Sequence, residues 1–192
     1  MTATRRLGSA QSATHGLILD AAQAVMLEQG YAAVSARRVA AQAGIKPALV
    51  QYYFGSMDEL LLALYRRGAE GVLARQEEAL ASGRPWRALW ALSTDPARAA
   101  LGVEFMALAN HRKAIGAEIA AYVTRTQKLQ ALALAQLLTK AGVDLAAYPP
   151  AGVTLILAGI ARALVMEQGI GMDFGHAEAA GIVARWLKRL EP

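Results

Sequence analysis

Residues 35–54 read SARRVAAQAGIKPALVQYYF, and the reading of this stretch decides the fold. It divides at Gly44-Ile45 into two short helical halves. Ser35 stands where an N-cap belongs, and Val39, Ala40 and Ala43 share one face of the first half. Pro47 opens the second half at the first helical position, and Leu49 or Val50 supplies its inner face together with Phe54. A glycine between two short helices permits the positive φ that a tight turn uses, and Ile45 can anchor the turn in a core. The outward positions of the second half are Lys46, Ala48, Gln51 and Tyr52. A short helix with that face suits a major groove: lysine reaches phosphate or guanine, glutamine bonds adenine at two points, and tyrosine bonds phosphate. By spacing alone, the stretch reads equally as a helical hairpin with a solvated polar face.

Working outward, helical spacing continues on both sides. Upstream, Ile18, Ala22 and Val25 share a face of a helix over about 14–30 that stops at Gly30. Residues 1–13 are small, polar and basic, and read as a disordered arm. Downstream, Ser56 and Glu59 form a capping box before Leu60, Leu61, Leu62 and Leu64, opening a long helix to about residue 81. Gly83-Arg84-Pro85 breaks it, and Trp86, Leu89, Trp90 and Ala91 start a shorter amphipathic piece. Asp95-Pro96 begins a helix to about Asn110; another spans roughly 113–141, one runs from Pro149-Pro150 to Gly169, and the last covers about 175–190. No strand alternation or internal repeat interrupts the series. The expected fold is all-α with about nine helices: a flexible basic arm at 1–13, a three-helix domain with a helix-turn-helix at 14–64, and a larger helical domain at 65–192.

Taken together, ILDAAQAVMLEQGY and SARRVAAQAGIKPALVQYYFGSMDELL resemble the N-terminal domain of the TetR family of transcriptional regulators. The resemblance covers about 14–64 and joins the Ile18-Leu19 to Gly30-Tyr31 helix, the Val39-Ala40 to Ala43-Gly44 turn, Tyr53-Phe54, and Ser56 to Leu60 in the family's order. It implies a repressor that binds a palindromic operator as a homodimer and lets go when a small ligand enters the C-terminal domain. The resemblance thus implies DNA binding for the domain at 14–64, and effector binding with dimerisation for the domain at 65–192. Position by position, the family's DNA-facing residues fall on Ser35, Lys46, Pro47, Ala48, Gln51, Tyr52 and Tyr53, with Arg37 and Arg38 as backbone contacts. There are two departures from the family pattern. Met57 stands where a phosphate-contacting lysine is usual, and Gln51 stands where an aromatic residue is frequent.

Composition sets the wider bounds. The chain has 192 residues, of which 55% are hydrophobic, and a mean hydropathy of +0.28. That leaves apolar surface for a partner subunit or a ligand cavity. Residues 1–55 hold five basic against two acidic side chains, so a quarter of the chain carries over half of the +5 net charge, an excess that suits nucleic-acid contact and that is also often only a solvated face. With no cysteine, disulfides and thiolate metal sites are excluded. The longest uncharged apolar run, Ala151 to Ala161, falls short of the ~20 residues of a membrane span, and no secretory signal follows Arg5 and Arg6. A cytoplasmic protein is expected, with no membrane partner. The three histidines, His15, His111 and His176, lie in separate segments without an acidic residue at ligand spacing, and no phosphate loop exists. No cofactor, metal site or catalytic set is expected. The rivals are an α-helical enzyme and an architectural DNA-binding protein that takes no small molecule.

In the C-terminal part, apolar residues of the last two helices suggest a dimer interface of Ile156, Gly159, Ile160, Ala163, Ile182, Val183, Trp186, Leu187 and Leu190, as the resemblance also implies. Candidate walls of an effector cavity are Trp86, Trp90, Phe105, Met106, Tyr122 and Met166, with His111 a possible polar contributor. The shortage of polar anchors points to an apolar or amphipathic effector, whose identity the sequence does not give.

Overall fold

The computed structural model describes the chain from Thr2 to Glu191, apart from the side chains of residues 2–11 and 97–99. Among the described residues it is all-α: nine α-helices and one 3-10 turn. They are α1 (Thr2–Gln29), the 3-10 turn Tyr31–Ala33, α2 (Ala36–Ala43), α3 (Pro47–Phe54), α4 (Met57–Ala81), α5 (Pro85–Ser93), α6 (Pro96–His111), α7 (Lys113–Lys140), α8 (Pro150–Gln168) and α9 (His176–Leu190). Glycine and proline punctuate them as the sequence predicts.

One difference lies at the start. The arm expected over 1–13 is drawn as helix from Thr2 onward. Alanine, arginine, leucine and glutamine are good helix formers, no proline intervenes, and lengthening a formed helix costs far less than starting one.

Contacts divide the chain into two compact units, Met1–Gly68 with Glu104–Gly116, and Ala69–Val103 with Ala117–Pro192. The first contact-defined unit runs four residues past 64 and takes in a second segment, 104–116. That unit is built on α1, whose Ile18, Ala22, Val25 and Met26 are at most 1% exposed. Ile18, Val25 and Met26 each contribute roughly 1.5–3 kcal/mol by leaving water. Val39 and Ala40 of α2, Val50 and Phe54 of α3, and Leu60, Leu61 and Leu64 of α4 complete the core. The later segment adds buried Phe105, Leu108 and Ile115, and the Phe105 ring meets Tyr65 edge-on at 5.1 Å. Glu104 also accepts the Tyr31 backbone N–H at 2.7 Å, satisfying a donor exposed by the turn at Gly30.

The second unit has its own core of Ala79, Trp86, Leu89, Leu134, Leu138, Leu157, Val183 and Leu187. The buried carboxylate of Glu191 accepts the Trp86 N–H at 2.6 Å and the Arg87 N–H at 3.1 Å, capping the start of α5 from beyond the end of α9. By length and composition alone α8 is apolar enough to cross a membrane. The uncharged run ends at Arg162, but the helix carries apolar residues on to Met166. Thr154, Leu157, Ala161 and Val165 form a buried stripe along it.

Candidate nucleic-acid interface

The two short helices are held by local chemistry. The Ser35 hydroxyl accepts the Arg38 N–H at a long 3.4 Å and so caps α2. At the other end Gly44 takes φ 67° and ψ 30°. Its N–H donates to Ala41 O at 3.3 Å, and the Ile45 N–H donates to Ala40 O at 3.0 Å. This paired arrangement is a Schellman motif, which closes the last carbonyls of α2 and turns the chain at once into α3. Proline at the first position of α3 starts that helix without an idle N–H.

α3 is anchored by Val50, 1% exposed, and by Phe54, whose ring lies 4.5 Å from that of His15 on α1. Of the two inner candidates, Val50 is the one buried, while Leu49 is 39% exposed. The outer face is Lys46, Pro47, Ala48, Gln51 and Tyr52, all exposed. Tyr52 is 73% exposed and lies edge-on to Tyr53 at 5.4 Å, so Tyr53 is the half-buried partner of the pair. Ser35, Arg37 and Arg38 lie exposed at the start of α2. Arg38 is hydrogen-bonded to Gln29 of α1, which holds its guanidinium in place. The expected residues thus gather on α3 and the N-terminal end of α2.

α4 begins beside this face. The Ser56 hydroxyl accepts the Glu59 N–H at 3.1 Å, which is the forward half of the capping box. The reverse half is replaced, since the Ser56 N–H donates to Phe54 O at 2.6 Å. Asp58 pairs with Arg112 from the α6–α7 corner. Met57, partly buried at the first position of α4, brings no charge.

The expected effector walls do not converge. Trp86 and Trp90 line a cavity of the second unit with Ser93, Gln130 and Thr154. Phe105, Met106 and His111 belong instead to the first unit, where Phe105 is core and His111 stacks on Tyr31 at 6.0 Å. The Tyr122 hydroxyl donates to Ala69 O at 2.7 Å. Burial raises its pKa, with Arg125 and Arg75 opposing the shift. Met166 is half exposed on α8. Apolar type alone did not separate these four environments; Gln130 and Thr154 were missed because neither type nor spacing marks them.

The expected dimer residues also divide. Val183 and Leu187 are core residues at 0% and 3% exposure, and Ile160 and Leu190 pack against the same core. Ile156, Ile182 and Trp186 are 56%, 40% and 46% exposed, Ala163 is exposed and Gly159 half-buried. α9 therefore turns two stripes in two directions, Val183 with Leu187 inward and Ile182 with Trp186 outward.

With α1 as its support and the polar side of α3 turned to solvent, the N-terminal unit is of the helix-turn-helix, DNA-binding class. Residues 18–64 match the family model of the bacterial regulatory proteins, tetR family. Over this domain, about a quarter of the chain, the sequence is similar to that family of transcriptional regulators. The HTH-type transcriptional regulator BetI of Rhizobium meliloti (strain 1021) is 45% identical over 49 residues, or 26% of this chain and 24% of that protein. The match thus spans about a quarter of this curated relative. Among solved structures, a TetR transcription regulator from Haloarcula marismortui ATCC 43049 has a TM-score of 0.72 at 18% identity, covering 94% of this chain and 97% of its own. A transcriptional regulator from Rhodococcus sp. Rha1 has a TM-score of 0.67 at 20% identity, covering 92% and 91%. At these identities the likeness concerns the fold.

Proposed function

We propose that this protein is a cytoplasmic repressor that binds a palindromic operator as a homodimer and is released by a small apolar or amphipathic effector. The observation that carries the DNA-binding part is the face of α3: Val50 and Phe54 fix the helix from below while Lys46, Gln51 and Tyr52 stand exposed above. Gln51 reads a base, Lys46 and Tyr52 hold phosphate, and Ser35 aims the N-terminus of α2 at a further phosphate, where free N–H groups favour an anion. Arg37 and Arg38 add backbone contacts.

The dimer is supported by the outward stripe of Ile156, Ala163, Ile182 and Trp186, an apolar face that the monomer leaves uncovered. The effector is supported by the cavity beside Trp86 and Trp90 in the second unit. Selection of binding sites from random duplex DNA tests the reading directly. A two-fold symmetric consensus is the expected result, and recovery of no preferred sequence would refute an operator-specific regulator.

A further inference from the structure

The cavity of the second unit carries polar atoms that the protein itself does not satisfy. Trp86 is 4% exposed and Thr154 is 2% exposed, yet neither the Trp86 indole N–H nor the Thr154 hydroxyl has a hydrogen-bond partner. Both residues line the same cavity, between α5, α7, α8 and α9. A buried polar group without a partner is costly, so native proteins rarely retain one without a use. These two come from helices far apart in sequence and meet at one space. The remaining polar lining is neutral: the Ser93 hydroxyl already donates to Leu89 O at 2.8 Å, and Gln130 contributes an amide. No lining residue is charged.

The shape fits this chemistry. The cavity measures about 20 Å³, room for one water-sized group, and it opens to the surface on one side. Leucine, alanine and tryptophan side chains form most of the wall.

Building on the reading of the second unit as an effector domain, we propose that this cavity binds an uncharged molecule with one compact hydrogen-bond-accepting group, a carbonyl or hydroxyl oxygen, on an apolar body. The oxygen accepts from the Trp86 indole N–H, which can only donate, and from the Thr154 hydroxyl. Only this oxygen enters the cavity, and the apolar body lies at its open mouth. A carboxylate and an ammonium are both disfavoured, because no lining residue offers a counter-charge to either ion.

The test compares three probes that share one ring: cyclohexanone, cyclohexanecarboxylate and cyclohexylamine, each titrated into the full-length protein by calorimetry and tryptophan fluorescence. Cyclohexanone is expected to bind at least ten-fold more tightly than either ion. Thr154→Val keeps the shape and removes only a hydroxyl without a partner, so its melting temperature should hold or rise. Its cyclohexanone affinity should fall about three- to ten-fold. Trp86→Phe, whose fold is checked by circular dichroism, should weaken cyclohexanone in the same way. Equal binding of the three probes, no cyclohexanone binding at millimolar concentration, or an unchanged Thr154→Val affinity would each overturn the proposal. Operator affinity, measured separately, distinguishes this site from the regulator reading. Cyclohexanone that binds through Thr154 but leaves operator affinity unchanged supports the site and removes its coupling to DNA. A charged molecule that releases the operator from wild type and Thr154→Val alike removes the site and leaves the regulator.

Discussion

Gly44 shows how much one residue settles here. Its φ of 67° lies where a side chain strains the backbone, while the space around it is open, with nothing within 4 Å of where a Cβ would sit. Gly44→Ala should therefore cost about 1–2 kcal/mol through backbone conformation alone, read as a lower melting temperature. The turn was legible in the sequence because glycine at that point has so few other uses. Gln51 and Tyr52 are neighbours to which the proposed function gives separate roles. Gln51→Ala should cost about 1–3 kcal/mol at particular base pairs and relax specificity there. Tyr52→Phe should weaken all duplexes alike, because phosphate carries no base information. Equal losses by both variants across a randomised operator would remove that division of labour.

The helices themselves were legible because their ends are written locally, as Ser35, Pro47, Ser56, Pro85 and Pro150 at starts and Gly44 and Gly142 at stops. Which way each helix faces was less so. In α9 the periodicity showed apolar residues over a wide strip but could not say which of them the core takes, since that depends on α5 and α8. The structure assigns Val183 and Leu187 to the core, so the outward Trp186 is the right place to probe the dimer. Trp186→Glu should give monomers by sedimentation and lose operator binding while keeping its helical spectrum. Sedimentation that still reports a dimer would move the interface elsewhere. At the start of α4, Met57→Lys should restore a phosphate contact, raising operator affinity and steepening the dependence of log K on log salt by about 0.9. An unchanged slope would mean that position 57 does not approach DNA.

Across the whole molecule, what the sequence could not convey is contact between distant segments. Tryptophan and phenylalanine look alike as cavity walls, yet Trp86 and Phe105 belong to different units. Thr154 meets Trp86 only through tertiary packing. If an effector controls DNA binding, the coupling is expected at about 5–150-fold and must be reciprocal, so operator DNA should weaken effector binding by the same factor. Unequal factors in the two titrations would show that the effect on DNA does not arise from linkage.

The N-terminal unit is discontinuous in sequence, and this bears on how such proteins can be recombined. A graft that moves only residues 1–68 onto another body leaves behind Glu104, which holds the Tyr31 N–H, as well as Phe105 and Arg112, the partners of Tyr65 and Asp58. Such a chimaera inherits α3 but a mismatched underside. New specificities would be transplanted more safely in two pieces, with the corner at 104–116 travelling alongside.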